Sequence, residues 1–550
     1  MHRLVVVCFA AGVLSAGCGP STEPAAVSPP ARSTSYDDLT ALFTDWREFQ
    51  RPALVDGVPD YSARAMSAQY AALPNYQARL AAIDPSGWSV AQQVDYHLVR
   101  AEMNGLDFDH RVLQPWARNP AYYTSIWTSQ SDVPAREGPV AYGAIELWQY
   151  PFPLDGAATE RLAGQIRTIP PLLEQAKSNL TGNARDLWVA GARVLAGQAH
   201  DLDELAGRVA GTSLEADVRA AGEATRSFAA WLDAQVPSKT GSSGIGVEHY
   251  DWYVKNVMLV PYTWADQVAM MRRELARAHA FLKLEEHRNR HLPPLQPIDD
   301  ATEYDQKMNA AVTEYMAFLE EQEVVSIRPY MDAALRERIG RFSPPVNGRR
   351  EFFSEANYRD GVVMRTHGYH WIDLARMARE PHESPIRSVP LLYNVFVSRA
   401  EGMATGMEEM MMQAGLFDSR PRARELIYIL LAQRAARALG DLYMHSNDFT
   451  MDQAIQFASD WTPRGWLPVD GQTVWFEQHL YLQQPMYGTS YLVGKIQIED
   501  LIAHLARQQG EAFTMKGFLD AFNEAGVIPM SMITWEMTGD ADTVAGLLEP

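Results

Sequence analysis

Apolar residues recur at helical spacing almost without interruption from about Tyr36 onward. Pro and Gly mark the breaks, and very few stretches alternate apolar with polar as a half-buried strand requires. A chain patterned in this way buries its apolar faces by packing helix on helix, so the expected fold class is mostly α. With 550 residues and no Pro/Ser-rich interior linker, the sequence predicts one large helical body or two intimately packed lobes. No repeat period, heptad run or low-complexity block is evident.

The first residues read differently. His2 and Arg3 precede an apolar run over residues 4–14, well short of the ~20 residues that span a bilayer, and this is the pattern of a secretory signal. It ends in Leu14, Ser15, Ala16, Gly17 and Cys18, which resembles the bacterial lipobox with its leucine one place early; the alternative is an ordinary signal cleaved at an A-x-A-like site. The expected organisation is therefore a lipoprotein signal over 1–17, a lipidated Cys18 with a Pro/Ser/Ala-rich flexible tether over 18–35, and a helical domain over 36–550. Only Cys8 and Cys18 occur, so the mature chain carries no free thiol, which excludes disulfides, iron–sulfur clusters and a cysteine nucleophile. An exported chain without disulfides relies on core burial, for which this length suffices. No second apolar run reaches membrane-spanning length, so attachment rests on the lipid alone. The expected location is the cell envelope, at the outer membrane with a periplasmic or surface face; Gly19 fits outer-membrane sorting in some bacteria.

The formal charge of -20 is spread along the chain, which disfavours nucleic acid and anionic membrane surfaces as partners. Two interior loops, 238–246 and 462–472, carry the Gly and Pro of ligand-touching or merely connecting segments. The first lacks the Lys-Ser/Thr ending of a phosphate-cradling loop, and no G-x-S-x-G elbow supports a serine hydrolase.

Four stretches can carry chemistry. MRTHGYHWID, over 364–373, sets His367 and His370 three residues apart. In RAEGMATGMEEMMMQAGLF, Glu401, Thr405 and Glu408 share one helical face, while Met403, Met407, Met410 and Ala414 form a second face suited to core filling. The carboxylate face is solvated unless something basic or metallic lies opposite. The next helix carries Arg434, Arg437, Asp441 and His445 in a narrow arc and is otherwise almost entirely apolar. Such a helix is buried, so its stripe is either an ion-pair network or the wall of an active site. Finally, Pro485 and Gly488 break the chain beside Tyr487, Ser490, Tyr491 and Lys495, where a phenol can donate to a developing oxyanion.

Taken in order, EG-x-A-x-G-x-E, then R-x-x-R-x-x-x-D-x-x-x-H before FTMDQAI, then PMYGTSYLVGK, then FLDAFNEAGVIPMSMITWEMTG resembles the bacterial family called domain of unknown function 885. The likeness is strongest over 361–539, and NARDLW at 183–188 with VKNVMLVPYTW at 254–264 fits its lipoprotein members. The resemblance implies a helical fold similar to the deep-cleft zinc peptidases of the thimet oligopeptidase type. It also implies an H-E-x-x-P-G-H signature with a later E-G-W-A helix, in which two histidines and the later glutamate bind zinc and the first glutamate is the base. This chain departs from that signature. With His370 as the last histidine, Met364 stands at the first and Arg365 at the base, and neither can do the work of the residue it replaces. Glu401 matches the later glutamate, and Asp441, His445 and Tyr491 match the D-x-x-x-H and tyrosine elements.

Three readings follow. In the leading one the cleft persists without its zinc dyad and binds a small peptide or other amide-bearing ligand. Arg365 there pairs with Glu401 or with a ligand carboxylate, and Arg434, Arg437, Asp441 and Tyr487 line the site. The alternative is an atypical metal-dependent peptidase or amidase. His367 and His370 on one helical face then bind zinc with Glu401, Glu408 is the base, and His445 or Tyr491 stabilises the oxyanion. In the third, both histidines are structural.

Overall fold

The computed structural model describes residues 32–549; the expected signal, the lipidated Cys18 and the tether as far as residue 31 lie outside the described residues. The fold is mostly α. Among the described residues the strand pairs are antiparallel Leu54–Val55 with Val58–Pro59 and parallel Ile126–Trp127 with Ile145–Glu146. No helix among the described residues is long and apolar enough to cross a membrane. The tether stops earlier than expected. Ser33 already exchanges backbone hydrogen bonds with Ala82 and Asp84, and Trp88 Nε1 donates to the Thr34 carbonyl, so the chain is docked before Tyr36 opens the first helix.

Two large cores form. One gathers Gly156–Ile166, Ile169–Asn179, Arg185–Arg208 and Glu215–Gln235 around Trp188, Leu195 and Phe228. The other joins the N-terminal helices to nearly everything beyond Val247 and includes Trp46, Val94, Tyr250, Met403, Leu439 and Tyr487. Each fully buried large aliphatic or aromatic side chain in these layers contributes about 1.5–3 kcal/mol.

The second core holds the functional scaffold. Ala423–His445 is buried almost all round, as its Ala/Leu composition requires. Val397–Gln413 and Tyr487–Gln509 cross at Gly402 and Gly494, where a Cβ on Gly494 would stand 1.8 Å from the Ser398 carbonyl oxygen. Only glycine permits that approach, and it brings the start of the second helix against the middle of the first. The expected break at Pro485 is made by Met486 at φ 72°, after which Tyr487 begins the helix. The methionine face of Val397–Gln413 is buried at Met403 and Met407, whereas Ala414 just past its end is exposed.

MRTHGYHWID is divided between two helices. Gly361–His367 ends at Gly368, whose N–H is shared between the Met364 and Arg365 carbonyls at 3.1 Å, and Tyr369–Arg379 begins beyond it. His367 and His370 therefore face each other across a helix junction rather than stacking on one helical face. Their ring centroids are 5.1 Å apart at 82°.

Candidate metal centre and its cleft

His370 and Glu401 form the centre of the site. His370 Nε2 lies 3.1 Å from Glu401 Oε2, and the Tyr487 hydroxyl donates to Glu401 Oε1 at 2.7 Å. Both members of the pair are buried. Burial alone would raise the Glu401 carboxyl, but the His370 charge and the hydrogen bonds from His370 and Tyr487 hold it down at about 2. Burial likewise disfavours the charged His370, yet Asp132 and Glu401 outweigh it and lift the imidazole to about 9.

His367 is held by a second glutamate of the same helical face. Its Nδ1 lies 3.1 Å from Glu408 Oε1 and 3.2 Å from an Arg434 nitrogen, while Arg434 clamps Glu408 with two bonds of 2.7 Å. The carboxylate stripe expected to be solvated is thus buried, because a basic stripe and two histidines do lie opposite. Glu408, expected as a base, is held by Arg434 and His367. Arg434 binds both of its oxygens, the side chain has no solvent exposure, and the Arg434 and His367 partners hold its carboxyl down against burial, all of which favour the ionised form. Next along the arc, Arg437 pairs with Glu477, which also accepts from Gln433 at 2.9 Å, and the guanidinium stacks on Tyr491 at 4.2 Å.

The other end of the stripe is structural. Asp441 lies against the first turn of Tyr487–Gln509, where a Cβ on Gly488 would come within 2.9 Å of its carboxylate. Burial pushes its carboxyl well above the usual range, and the backbone N–H groups of Met486, Gly488 and Thr489 only partly offset that. His445 Nε2 donates to the Tyr481 carbonyl at 2.9 Å, and burial drives the ring down to about 4, so it is a neutral core histidine. The phenol that contacts the His370–Glu401 pair is Tyr487, whose hydroxyl is donated to Glu401.

The residue that sequence reading missed is Asp132. Its carboxylate and one ring nitrogen from each of His367 and His370 lie within 4.8 Å of one another. Asp132 sits on loop 128–144, whose base is pinched by the parallel pairing of Ile126 with Ile145 and of Trp127 with Glu146. The loop is tied to the chain break before Tyr487, since Gly138 N–H donates to Gln484 Oε1 at 3.0 Å and Asn394 Nδ2 bridges the Arg136 carbonyl and the same glutamine oxygen. The same loop carries Glu137, partly buried, 3.2 Å from the Ser131 hydroxyl. Burial, followed by the charges of Asp132 and Glu401, pushes its carboxyl up to about 8. SDVPAREGPV, over 131–140, has the Pro/Gly content of the two loops singled out above and two acids besides, which is the signal that would have found it.

Arg365 does not reach Glu401. It turns toward Asn357 Oδ1 at 3.2 Å, is 7% exposed, and has no carboxylate within ion-pairing distance among the described residues; its Nε is unpaired. With Asp132, Met364 and His367 it lines a cavity of about 230 Å³. The site thus sets an unneutralised guanidinium beside the Asp132 and histidine trio.

The donor set suits a zinc-like dication: two imidazoles and a carboxylate, with each ring also touched by a glutamate that can fix its tautomer. If His370 Nε2–H donates to Glu401, and if Arg434 gives its N–H to Glu408 alone so that His367 Nδ1–H can do the same, the other nitrogen of each ring, which has no protein partner among the described residues, is left as a ligand. Glu401 then belongs behind His370 rather than in the ligand trio.

The profile of a family described as bacterial protein of unknown function (DUF885) matches residues 49–343 and 370–537. The unmatched interval between these spans contains Met364, Arg365 and His367. Two solved structures share the fold. One is described as "a putative lipoprotein of unknown function from Shewanella oneidensis", with TM-score 0.69 and 16% identity, covering 92% of this chain and 99% of that one. The other is "the putative lipoprotein from Colwellia psychrerythraea", with TM-score 0.65 and 15% identity, covering 93% and 98% respectively. No curated protein matches the chain.

Proposed function

The chain belongs to the DUF885 family of bacterial proteins of unknown function, and from that premise we propose that it is a lipid-anchored envelope protein that hydrolyses a small peptide or other amide-bearing compound at a rebuilt metal centre. The Cys18 motif and the lipoprotein descriptions of the two structural relatives support the anchoring. The observation that carries the chemistry is the convergence of Asp132, His367 and His370 at the edge of a cavity. A zinc ion held there would supply Lewis acidity toward the amide carbonyl and an acidified water. The chain's own groups divide the remaining work. Glu401 and Glu408 orient the two imidazoles, and Glu137 is the carboxyl whose raised pKa suits holding and releasing a proton near neutrality. Arg365 seats a ligand carboxylate, which favours short substrates with a free carboxyl terminus.

A second reading, ligand binding without turnover, is favoured by Met364 and Arg365 standing where the family signature has a ligand and its base. One experiment separates the two. Metal content is measured on the full chain purified without chelator or tag metal, beside Asp132→Ala and His370→Ala, and peptide hydrolysis is followed on the same samples. About one metal per chain that both substitutions remove, with turnover that disappears alongside it, is the expected outcome. Metal-free protein that binds peptide through Arg365 without cleaving it would replace the hydrolase reading with the binding one.

A further inference from the structure

A second cavity is lined in part by residues 135–142 of the same loop 128–144, and its polar content is different. It measures about 400 Å³, within the range of small-molecule sites, and its walls include Tyr61, Trp116, Tyr122, Tyr253 and Tyr393. Asp109, partly exposed, also lines it. Among the described residues the Asp109 carboxylate accepts no hydrogen bond and has no cation within ion-pairing distance.

The surroundings leave this charge unanswered. The two arginines of the cavity wall are committed elsewhere: Arg47 to Glu102 at 3.1 Å and the Pro390 carbonyl at 2.9 Å, and Arg136 to Glu146 at 3.1 Å while it stacks on Trp127. Three wall phenols that line the same cavity as Asp109, Tyr122, Tyr253 and Tyr393, are raised first by burial and also by the Asp109 charge. Burial alone pushes the Asp109 carboxyl itself up to about 8.

The backbone is bent to make this arrangement. Asp109 opens a π-helical turn, Asp109–Leu113, at the end of Val90–Phe108, and such turns are frequent at functional sites. Tyr393 and Asn394, which also line the cavity, both hold positive φ, 58° and 51°, and the Tyr393 ring presses on Gly105, where any Cβ would stand 2.4 Å from it. A carboxyl group without a protein partner and a strained aromatic wall each cost stability, and together they compose a recognition site in which an arriving cation would draw the carboxyl into its charged form.

We propose that this cavity binds a small organic ammonium, an amine or quaternary ammonium on an apolar body, with Asp109 as counter-ion and the tyrosine and tryptophan rings receiving the cation and its apolar part. Tyrosine and tryptophan faces attract an ammonium, and an acid without a partner gains one. The site is separate from the metal centre and stands whether or not that centre is loaded.

The test is calorimetric titration of the full chain with phenethylamine, and with 2-phenylethanol as its uncharged counterpart. Saturable binding of phenethylamine is expected, at least tenfold tighter than that of the alcohol, unchanged by chelator, and weakened at least tenfold in Asp109→Asn. Equal affinity for amine and alcohol, undiminished binding in Asp109→Asn, loss of binding on chelation, or no saturable binding at millimolar amine would each overturn the proposal. Should Asp109→Asn fail to fold, displacement of phenethylamine from the unaltered chain by tetramethylammonium decides the matter. Displacement supports the site, and failure to displace at millimolar concentration overturns it.

Discussion

Glu401 holds His370 through one oxygen at 3.1 Å and accepts the Tyr487 hydroxyl through the other at 2.7 Å, so both of its oxygens are engaged before any ligand arrives. A carboxylate in that position orients an imidazole, and removing such a partner typically costs 10–100-fold in metal affinity without abolishing the site. Glu401→Gln is therefore expected to weaken metal binding about 10–100-fold, whereas Asp132→Ala and His367→Ala remove it. Competition against a chromogenic chelator reads the difference. Complete loss in Glu401→Gln would make Glu401 a direct ligand.

The Arg434–Glu408 pair is fully buried, with two bonds of 2.7 Å. Truncating one partner leaves the other charge unanswered in the core, so Arg434→Met should cost about 3–5 kcal/mol of unfolding free energy. Adding Glu408→Leu should restore most of it, because removing both charges together also removes the desolvation penalty. Urea midpoints of the single and double variants test this, and a double variant no more stable than the single one would contradict it.

Asp109 sets a pH dependence whose sign is unusual for a carboxylate. Its pKa is raised from 3.8 to about 8. Below about pH 4 both the folded and the unfolded chain carry the proton, and the group costs nothing. From there toward pH 8 the unfolded chain releases the proton while the fold retains it, so stability falls as pH rises and the loss levels off beyond the folded pKa. Asp109→Asn lacks this slope. Its advantage over the unaltered chain should grow from near zero at pH 4 to on the order of a few kcal/mol at pH 8. Denaturation at pH 4, 6 and 8 measures it, and a flat difference would show a carboxyl that ionises freely in the fold.

Arg365 is a buried cation with a single amide partner, so Arg365→Met should leave stability unchanged or slightly higher. If the guanidinium seats a carboxylate, the same substitution should weaken an N-acetylated dipeptide at least tenfold while a C-terminally amidated dipeptide binds equally poorly to both proteins. Identical affinity of the acid for both proteins would remove Arg365 from the site.

The sequence by itself determined the helical class, the break at Pro485, and the fact that Arg434, Arg437, Asp441 and His445 lie on a buried helix, because helical periodicity and backbone breakers are local properties of the chain. Tertiary structure decided which charges meet. Glu408 is taken by Arg434, Glu401 by His370 and Tyr487, and Arg365 turns to Asn357. No periodicity encodes those pairings, since each is fixed by how two helices cross, as Gly402 and Gly494 fix the approach of Tyr487 to Glu401. Asp132 was the least legible of all. It lies on an irregular loop more than two hundred residues before His367, and the contacts that hold that loop against the cleft come from Asn394 and Gln484, so neither its spacing nor its neighbours in the chain mark it.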